Sequence, residues 1–581
     1  MIVASLELGG WMPTVLGMQL IPLGDSAVLV VLTGKNSVVA LEAVEKKAGA
    51  LTAATLAGIT DIVPSFTTVT VHYDPALIAA GAGTGTPFER VCAWIKTAPA
   101  APAGRKRKPA AAVVVPVCYG GEQGPDIAEV AAHAKLSEAE VIRVHAKAVY
   151  RVAAVGFSPG FPYLLGMAAR LTTPRRATPR TEVPAGSVGI GGAQTGVYPS
   201  ATPGGWALIG RTPVRLFRPE NEAAPTLLEA GDTVKFVAVT EKQAAQLEEK
   251  PVVLAAAKIS KHAAVFEVIK PGALTTVQDL GRHGRQHHGI PAGGAMDRQA
   301  ARVANLLLGN DENDPLLEVT LTGPEVRFLR DTWIAVTGAE VDGVPGWRPW
   351  HVTAGQLVSF AVLSRGARTY VAFAGGLEIA RVLGGAGTLL RAGVGGWNGR
   401  ALKAGDRLAA RPAVLETAGN WSVAGGFNAA TGTDVIVRFV RGPQWEWFAA
   451  ASRRTFLAKL FKVTAQSDRM GLRMDGPALR LDKAHELASE GVGFGSIQVP
   501  PDGKPIVLMA DRQTIGGYPK IGHVIAVDLP RLAQARTGNQ VRFQEVTLAE
   551  AQAFYLEQEH SLALLAAGLR GKLKRDDGRA A

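Results

Sequence analysis

Residues 189–210 read GIGGAQTGVYPSATPGGWALIG, a run crowded with glycine, broken by two prolines and set with Gln194, Tyr198 and Trp206. This density of glycine and proline excludes a regular helix and points to tightly turning β structure. Glycine has two uses in such a setting: it turns corners where φ is positive, and it lets backbone N–H groups approach a ligand. The glutamine and the aromatic rings beside these turns are what raise the second use.

The stretch has an echo about three hundred residues later. GIGGAQ at Gly189–Gln194 is matched by GFGSIQ at Gly493–Gln498, and GGWALIG at Gly204–Gly210 by GGYPKIG at Gly516–Gly522. Two blocks recurring in the same order imply one β-barrel design built twice in the chain. Gln194 and Gln498 can each donate and accept at once, which suits an amide or carboxylate and equally suits strand-edge backbone.

Working outward, a chain of 581 residues should hold about three to five domains. Residues 18–98 alternate strand patterns (Ala27–Leu32 and 67–72) with a helix whose apolar face is Phe88, Val91, Cys92 and Ile95, a small N-terminal α+β unit. A Pro/Ala/basic linker follows, and 110–240 opens with a strand at 112–117, continues with a helix bearing Ile127, Val130, Ala131 and Ala134 and a Ser137/Glu140 capping box, then becomes strands and turns. Past a polar connection near 241–263, residues 264–415 hold a helix that Asp297 can cap and Gly309 ends. A Gly/Ala/Asn-rich joint at 417–433 leads to 433–560, with a strand at 435–440, a helix near 443–461, glycine-rich β sequence and a Thr547/Glu550 capping box before a C-terminal helix. The last ten residues read as disordered. The expected class is mainly β with α+β elements.

Composition narrows the function. Hydrophobic residues at 47% and charged residues at 19% fit a globular protein, and no apolar run approaches the ~20 residues a bilayer requires. Of the net charge of +12, Arg105-Lys106-Arg107-Lys108 and the tail from Arg570 onward supply seven units. A basic run in a Pro/Ala linker without aromatics reads as solvated chain, so neither nucleic acid nor membrane is an expected partner. The first seventeen residues lack a basic leader and carry Glu7, and the two cysteines, Cys92 and Cys118, form no disulfide or metal pattern, which places the protein in the cytoplasm.

Polar groups gather in three places. Pro174–Arg180 sets Arg175, Arg176 and Arg180 in a proline-stiffened loop, with Arg211 after the glycine stretch; planar guanidinium groups suit phosphate or carboxylate, and equally suit a solvated surface. Asp511-Arg512-Gln513-Thr514 precedes the second Gly-Gly turn, Tyr518 and Lys520 follow it, and Asp468-Arg469 adds a charged pair. Asp279 and Asp297 lie among turn residues, where Asp297 can be a cap or an acid. His283, His287 and His288 lack a matching carboxylate pattern, so no metal is expected. The Walker A, Rossmann, GxSxG and HExxH motifs are absent, as is any Met-Lys-Met biotin acceptor.

These motifs carry a resemblance. Val155–Gly166 (VGFSPGFPYLLG), Pro179–Gly189 and Arg211–Pro213 resemble the B subunit of bacterial 5-oxoprolinase, the KipI family. Thr276–Gly281 (TVQDLG), Gly289–Asp297, Leu317–Thr320, Ser467–Arg473, Ser489–Gly491, Ile497–Pro500 and Asp511–Lys520 resemble its C subunit, the KipA family. The chain thus reads as a B–C fusion covering about 18–240 and 265–550. The resemblance implies cyclophilin-like barrels and ATP-dependent opening of 5-oxo-L-proline to L-glutamate, with Mg beside the ATP, no biotin on this chain, and a separate A subunit of the LamB/YcsF family; self-association is compatible with it. Residues 383–388, LGGAGT, depart from the C family's usual Leu-Gly-Ser-Arg-Ser-Thr.

On this reading the catalytic set is Asp279, Asp297, Glu318, Gln498 and Asp511. The substrate and nucleotide set is Arg175, Arg180, Ser187, Gln194, Tyr198, Arg211, Arg469, Arg512, Gln513, Thr514, Tyr518 and Lys520, with Arg175, Arg180, Arg211 and Lys520 facing phosphate. The same two modules form the carboxyltransferase part of urea carboxylase, so carboxyl transfer from a biotinyl partner to an amide is the alternative. A KipI/KipA-type regulator binding a sensor histidine kinase ranks third.

Overall fold

The computed structural model describes residues 17–33, 37–99, 111–249, 262–413, 416–417, 421–423, 425–429, 434–485 and 487–574. The basic run at 105–108, residues 1–16, the tail from 575 and much of the two expected connections lie outside them. Among the described residues no helix is long and apolar enough to cross a membrane.

The N-terminal unit is an antiparallel sheet in the order Met18–Pro22, Ala27–Leu32, Thr68–Tyr73, Ile59–Ser65. Alternating Val28, Val30, Val69 and Val71 enter its core with Val91 and Ile95 of the helix Pro87–Thr97, whose N-terminus Thr86 and Glu89 close with a capping box.

Two closed seven-stranded barrels follow. The first uses Val113–Tyr119, Val149–Val155, Pro162–Leu165, Ser187–Gly191, Gln194–Val197, Ala207–Arg211 and Thr233–Ala238; the second uses Asp434–Arg441, Phe461–Val463, Gly471–Asp475, Ser496–Gln498, Ile506–Leu508, Lys520–Val524 and Gln540–Glu545. Numbered one to seven within each barrel, the strands of both close in the order 1-6-4-5-3-2-7, with strand 7 parallel to strand 1. Each barrel also carries one small two-stranded sheet at the same place in the chain, Arg180–Val183 with Thr202–Gly204 and Glu490–Gly491 with Ile515–Gly516. The repeated barrel expected from the sequence is therefore present, down to strand order.

Register corrects half of the echo. Gly210 pairs with Val188 and Gly522 with Ile497, so Gly204–Gly210 and Gly516–Gly522 do correspond. Leu208, however, faces Gly189, whereas Lys520 faces Gln498. Gln498 is thus the counterpart of Gly189, and Gln194, which begins the next strand, is not its partner; glycine-rich turns align by composition rather than by position. The helix expected near 443–461 is also shorter, Ala450–Ala458, because Phe461 already belongs to a strand.

Between the barrels in sequence lies a sandwich. Leu357–Ser359, Glu325–Phe328, Ala264–Lys270 and Arg407–Ala409 form one sheet, and Leu274–Gln278, Leu316–Thr320, Leu363–Phe373, Thr332–Val341 and Pro349–Val352 the other, with Phe266, Phe328 and Phe373 packed in the core. The helix Arg298–Leu307 packs on the second sheet, and the C-terminal helix Leu548–Arg570 reaches back to the N-terminal unit, where Gln552 Nε2 donates to Tyr73 Oη at 2.8 Å.

Gly210 and Gly522 occupy the same seam. A β-carbon on Gly210 would lie 2.8 Å from Val117 Cγ1, and one on Gly522 2.6 Å from Phe439 Cδ2. Alanine at either position should destabilise the chain by about 1–3 kcal/mol in denaturant titrations. Gly49→Ala, inside the helix Ser37–Ala53 with nothing within 4 Å of the new methyl, should instead stabilise it, by about 0.5–1 kcal/mol.

Candidate active site

The two barrels and the sandwich meet at a cleft of about 160 Å³. The first barrel lends Phe157, Ser158, Pro159, Ser200 and Thr202; the sandwich lends Pro291 and residues 389–392; the second barrel lends Asp468, Arg469, Met470, Asp511 and Gln513.

Each wall has a local cause. After strand Val149–Val155 the chain reverses, Gly156 N donating to Phe161 O at 3.0 Å, and Phe157 takes φ of +67°. Its ring then packs edge-on against Phe161 and Tyr198, at 5.3 and 6.2 Å between centroids. Tyr198 is buried in this aromatic group with its phenol pushed up to about 12 by burial, so it remains a neutral wall. The hydroxyls of Ser158 and Thr202 are buried with no partner among the described residues.

The charged wall turns on Arg469. Its Nε and Nη2 each donate to Asp511 at 2.9 Å, Nη2 also reaches Gly294 O at 2.7 Å, and Nη1 pairs with Glu318. Burial alone would depress this guanidinium, but Asp511 and Glu318 hold it above its ordinary value. Behind it, Glu318 Oε2 accepts from Tyr370 Oη at 2.9 Å and Met296 N at 2.8 Å, and Tyr370 Oη accepts from Asp297 N at 2.7 Å. Asp297 caps the helix Arg298–Leu307 through Ala300 N at 2.9 Å, while its other oxygen accepts from Gln534 Nε2 at 2.8 Å. Asp279 takes the N–H groups of Gly281 at 2.8 Å and Ala386 at 2.6 Å.

Arg512 lies just behind the cleft. Its Nη2 donates to Gln286 Oε1 at 3.0 Å, and Gln286 donates to Asp61 of the N-terminal unit through both its amide, at 2.9 Å, and its backbone, at 2.9 Å. Burial, with Arg298 nearby, lowers Arg512 to about 10. Thr514 Oγ1 is buried without a partner among the described residues.

The sequence candidates thus divide. Asp511, Arg469 and Gln513 line the cleft; Glu318, Asp297, Arg512, Asp279 and Thr514 are neighbours in the chain or in space to those lining groups. Gln498 and Lys520 sit deeper in the second barrel, where Lys520, fully buried, pairs with Glu490 and so has no charge to offer a phosphate. Arg180 is bound to Asp126 at 2.7 Å, and Arg211 Nε to Ala185 O at 2.8 Å. Ser187 is buried in its strand, Arg175 and Tyr518 are exposed, and Gln194 stands at a strand end outside the cleft lining. Of the four cations assigned to phosphate, Arg180 and Lys520 are thus already paired with carboxylates, none lines the cleft, and Arg175 and Arg180 both lie near Tyr198. Among the described residues no three His, Cys, Asp or Glu side chains cluster as metal ligands.

Ser158, Thr202 and Asp61 escape the sequence reading. Two stand inside quoted stretches, VGFSPG and the opening glycine run, but a single hydroxyl carries no chemical signature until a fold turns it toward a cavity.

Comparison with known proteins fits this arrangement. The family described as "Carboxyltransferase domain, subdomain C and D" matches residues 18–228, and "Carboxyltransferase domain, subdomain A and B" matches 288–545. The 5-oxoprolinase C subunit of Escherichia coli is 39% identical over 308 residues, which is 52% of this chain and 98% of that one. The 5-oxoprolinase B subunit of Bacillus subtilis is 50% identical over 187 residues, 32% of this chain and 78% of that one. The chain belongs to this family, with B and C in one polypeptide. The crystal structure of TTHA0988 superposes with a TM-score of 0.76 at 33% identity, covering 89% of this chain and 99% of that one. With the halves so assigned, the cleft lies between the B-like barrel and the C-like half, and neither half alone completes it.

Burial raises Asp297 from 3.8 to about 6, against the bonds from Gln534 and Ala300. A carboxyl whose folded pKa lies above its unfolded value stabilises the fold when protonated, and that contribution is lost as pH rises through the folded value. Relative to Asp297→Asn, the wild-type chain should therefore lose up to ~3 kcal/mol of stability between about pH 4 and about pH 7.5, read from denaturant titrations.

Proposed function

We propose that this chain is the substrate-binding B–C component of an ATP-dependent 5-oxoprolinase, working with a separate A subunit of the LamB/YcsF family. The observation that carries the reading is the cleft itself: small, shared by both barrels, and edged by hydroxyls without partners among the described residues on one side and fixed charges on the other. Drug-sized ligands need roughly 300–1,000 Å³, so a cavity of about 160 Å³ suits a single small ring.

The chemistry asks for such a place. A lactam is a poor electrophile, and ATP supplies the remedy by phosphorylating its oxygen with release of ADP. Water then adds to the activated carbon, the ring nitrogen takes a proton and leaves as the amine to give an acyl phosphate, and a second water hydrolyses that to the free carboxylate and phosphate. Phe157 and Leu389 give the ring apolar walls. Ser158 and Thr202 supply hydroxyls that can donate to a carbonyl oxygen and accept from a ring N–H. Asp511, held in place by Arg469, is the carboxylate positioned to take or return a proton at the ring nitrogen. The buried guanidiniums Arg282 and Arg512 each keep an N–H without a partner among the described residues, a donor set that fits an anionic group, nucleotide phosphate included. A magnesium ion would arrive with the nucleotide.

The family description favours one second reading, transfer of carboxylate from a biotinyl partner to an amide. It differs in needing a biotinylated protein and no A subunit.

Leu390→Trp, which fills the cleft from its rim, provides the test. With the A subunit present, 5-oxo-L-proline should stimulate ADP release by the wild-type chain, and the variant should lose at least about tenfold in kcat/KM while keeping its melting temperature. No lactam-dependent ADP, together with capture of a biotinylated protein, would replace this reading with carboxyl transfer.

A further inference from the structure

Arg282 is among the largest fully buried side chains, 1% exposed, yet its hydrogen bonding is incomplete. Nε donates to Val382 O at 3.4 Å, just before the stretch that departs from the family pattern, and Nη2 to Gly387 O within it, whereas Nη1 has no partner among the described residues. The loop is pinned in turn by Ala386 N on Asp279. Its glycines make the grip fit: a β-carbon at Gly385 would lie 2.9 Å from Arg282 Cβ, and one at Gly387 2.8 Å from Asp279 Oδ1.

The unpartnered nitrogen lies behind the cleft wall, next to Gly293. A β-carbon built on Gly293, where φ is +64°, would lie 3.0 Å from Leu389 Cδ2 and 3.6 Å from both Arg282 Nη1 and Asp511 Oδ1. Leu389 and Asp511 line the cleft and Arg282 does not, so its unpartnered N–H stands one layer behind that wall, with Gly293, which has no side chain, beside all three. Neither nearby carboxylate is paired with Arg282. Both oxygens of Asp511 are taken by Arg469, and both of Asp279 by backbone N–H groups. Burial lowers the Arg282 pKa, with Asp279 and Asp511 only opposing that fall. A buried cation without a bonded counter-ion is unfavourable, and an entering oxyanion relieves it.

We propose that Arg282, held by loop 382–387, is the oxyanion-binding donor of this cleft, so that the site selects an amide or lactam bearing an anionic group over a neutral amide. The substrate assignment rests on the function proposed above; the oxyanion binding does not. The anion can be the carboxylate beside a lactam ring or a phosphoryl group of ATP, since both present the paired oxygens that a guanidinium edge bonds.

Calorimetric titration of the full chain with 5-oxo-L-proline, 2-pyrrolidinone and inorganic phosphate separates the sources. The wild-type chain should bind 5-oxo-L-proline or phosphate, and Arg282→Met should weaken that binding by about tenfold or more, with Arg282→Lys intermediate. Gly385→Ser, which leaves Arg282 in place but crowds its stem, should also weaken it, and carries the test with the lysine variant if the methionine variant does not fold. Binding of 2-pyrrolidinone should be unchanged throughout. A loss confined to 5-oxo-L-proline identifies the carboxylate, and one confined to phosphate identifies the phosphoryl group. Unaltered oxyanion affinity in Arg282→Met, an equal loss for 2-pyrrolidinone, or a wild-type chain that binds neither oxyanion overturns the proposal. Oxyanion binding through Arg282 without lactam-dependent ADP release would remove the 5-oxoprolinase reading and leave this one standing.

Discussion

Arg469 is the contact on which the site depends. One buried guanidinium from the second barrel is shared between Asp511 of the same barrel and Glu318 of the sandwich, and it also ties down the Gly294 carbonyl. Two carboxylates and a cation in a place this dry are each expensive to desolvate, and only their mutual geometry offsets the cost. Sliding the sandwich against the barrel would strand at least one of them. The relative position of these two units is therefore fixed by electrostatics as much as by apolar packing, and Asp511 inherits that rigidity.

The N-terminal unit is fastened by the same logic at a second place. Asp61 accepts N–H groups from Gly284 and Gln286 of the sandwich, Ser65 donates to the Ser489 carbonyl of the second barrel, and Gln552 of the last helix reaches both Tyr73 and the Asp25 carbonyl. Gly491 has no side chain because Thr70 fills that space. The start of the chain thus packs on its far end, and Arg512 is steadied, through Gln286, by a residue from the opposite end of the sequence. Joining the two halves covalently keeps this long-range contact at high effective concentration.

What is legible in the sequence follows from what periodicity and composition encode. Helix faces such as Val91, Cys92 and Ile95, the capping boxes at Ser137 and Thr547 and the strand at Ala27–Leu32 are local, and local signals survive folding. The barrel repeat is visible through its Gly-Gly-aromatic turn, which is a positional constraint. Its other half misaligns because glycine-rich turns look alike, and register is decided by neighbouring strands rather than by the turn. Site residues are legible as types and not as partners. Nothing in sequence separates Arg469, which faces the cleft, from Arg180, whose charge is already matched by Asp126; only the fold brings Asp126 beside it.

The two barrels share a strand order but not a chemistry, and the difference explains why the site needs both. Where the first barrel places Leu208 and Gly189, the second places Lys520 and Gln498; where the first has Arg180 across from Gly204, the second has Glu490 across from Gly516. The first barrel fills its inner corner with Phe161, Tyr198 and Trp206, a stiff apolar wall. The second fills the corresponding corner with a buried Lys520–Glu490 pair braced by Gln444, a charge network that fixes its loops without exposing them. An apolar wall can seat a ring but cannot polarise it, and a charge network can polarise but offers little surface to a ring. Neither corner lines the cleft itself; at the seam the first barrel contributes Phe157, the sandwich Leu389 and the second barrel Arg469 and Asp511, so one small cavity has an apolar side and a charged side that neither copy of the barrel has alone.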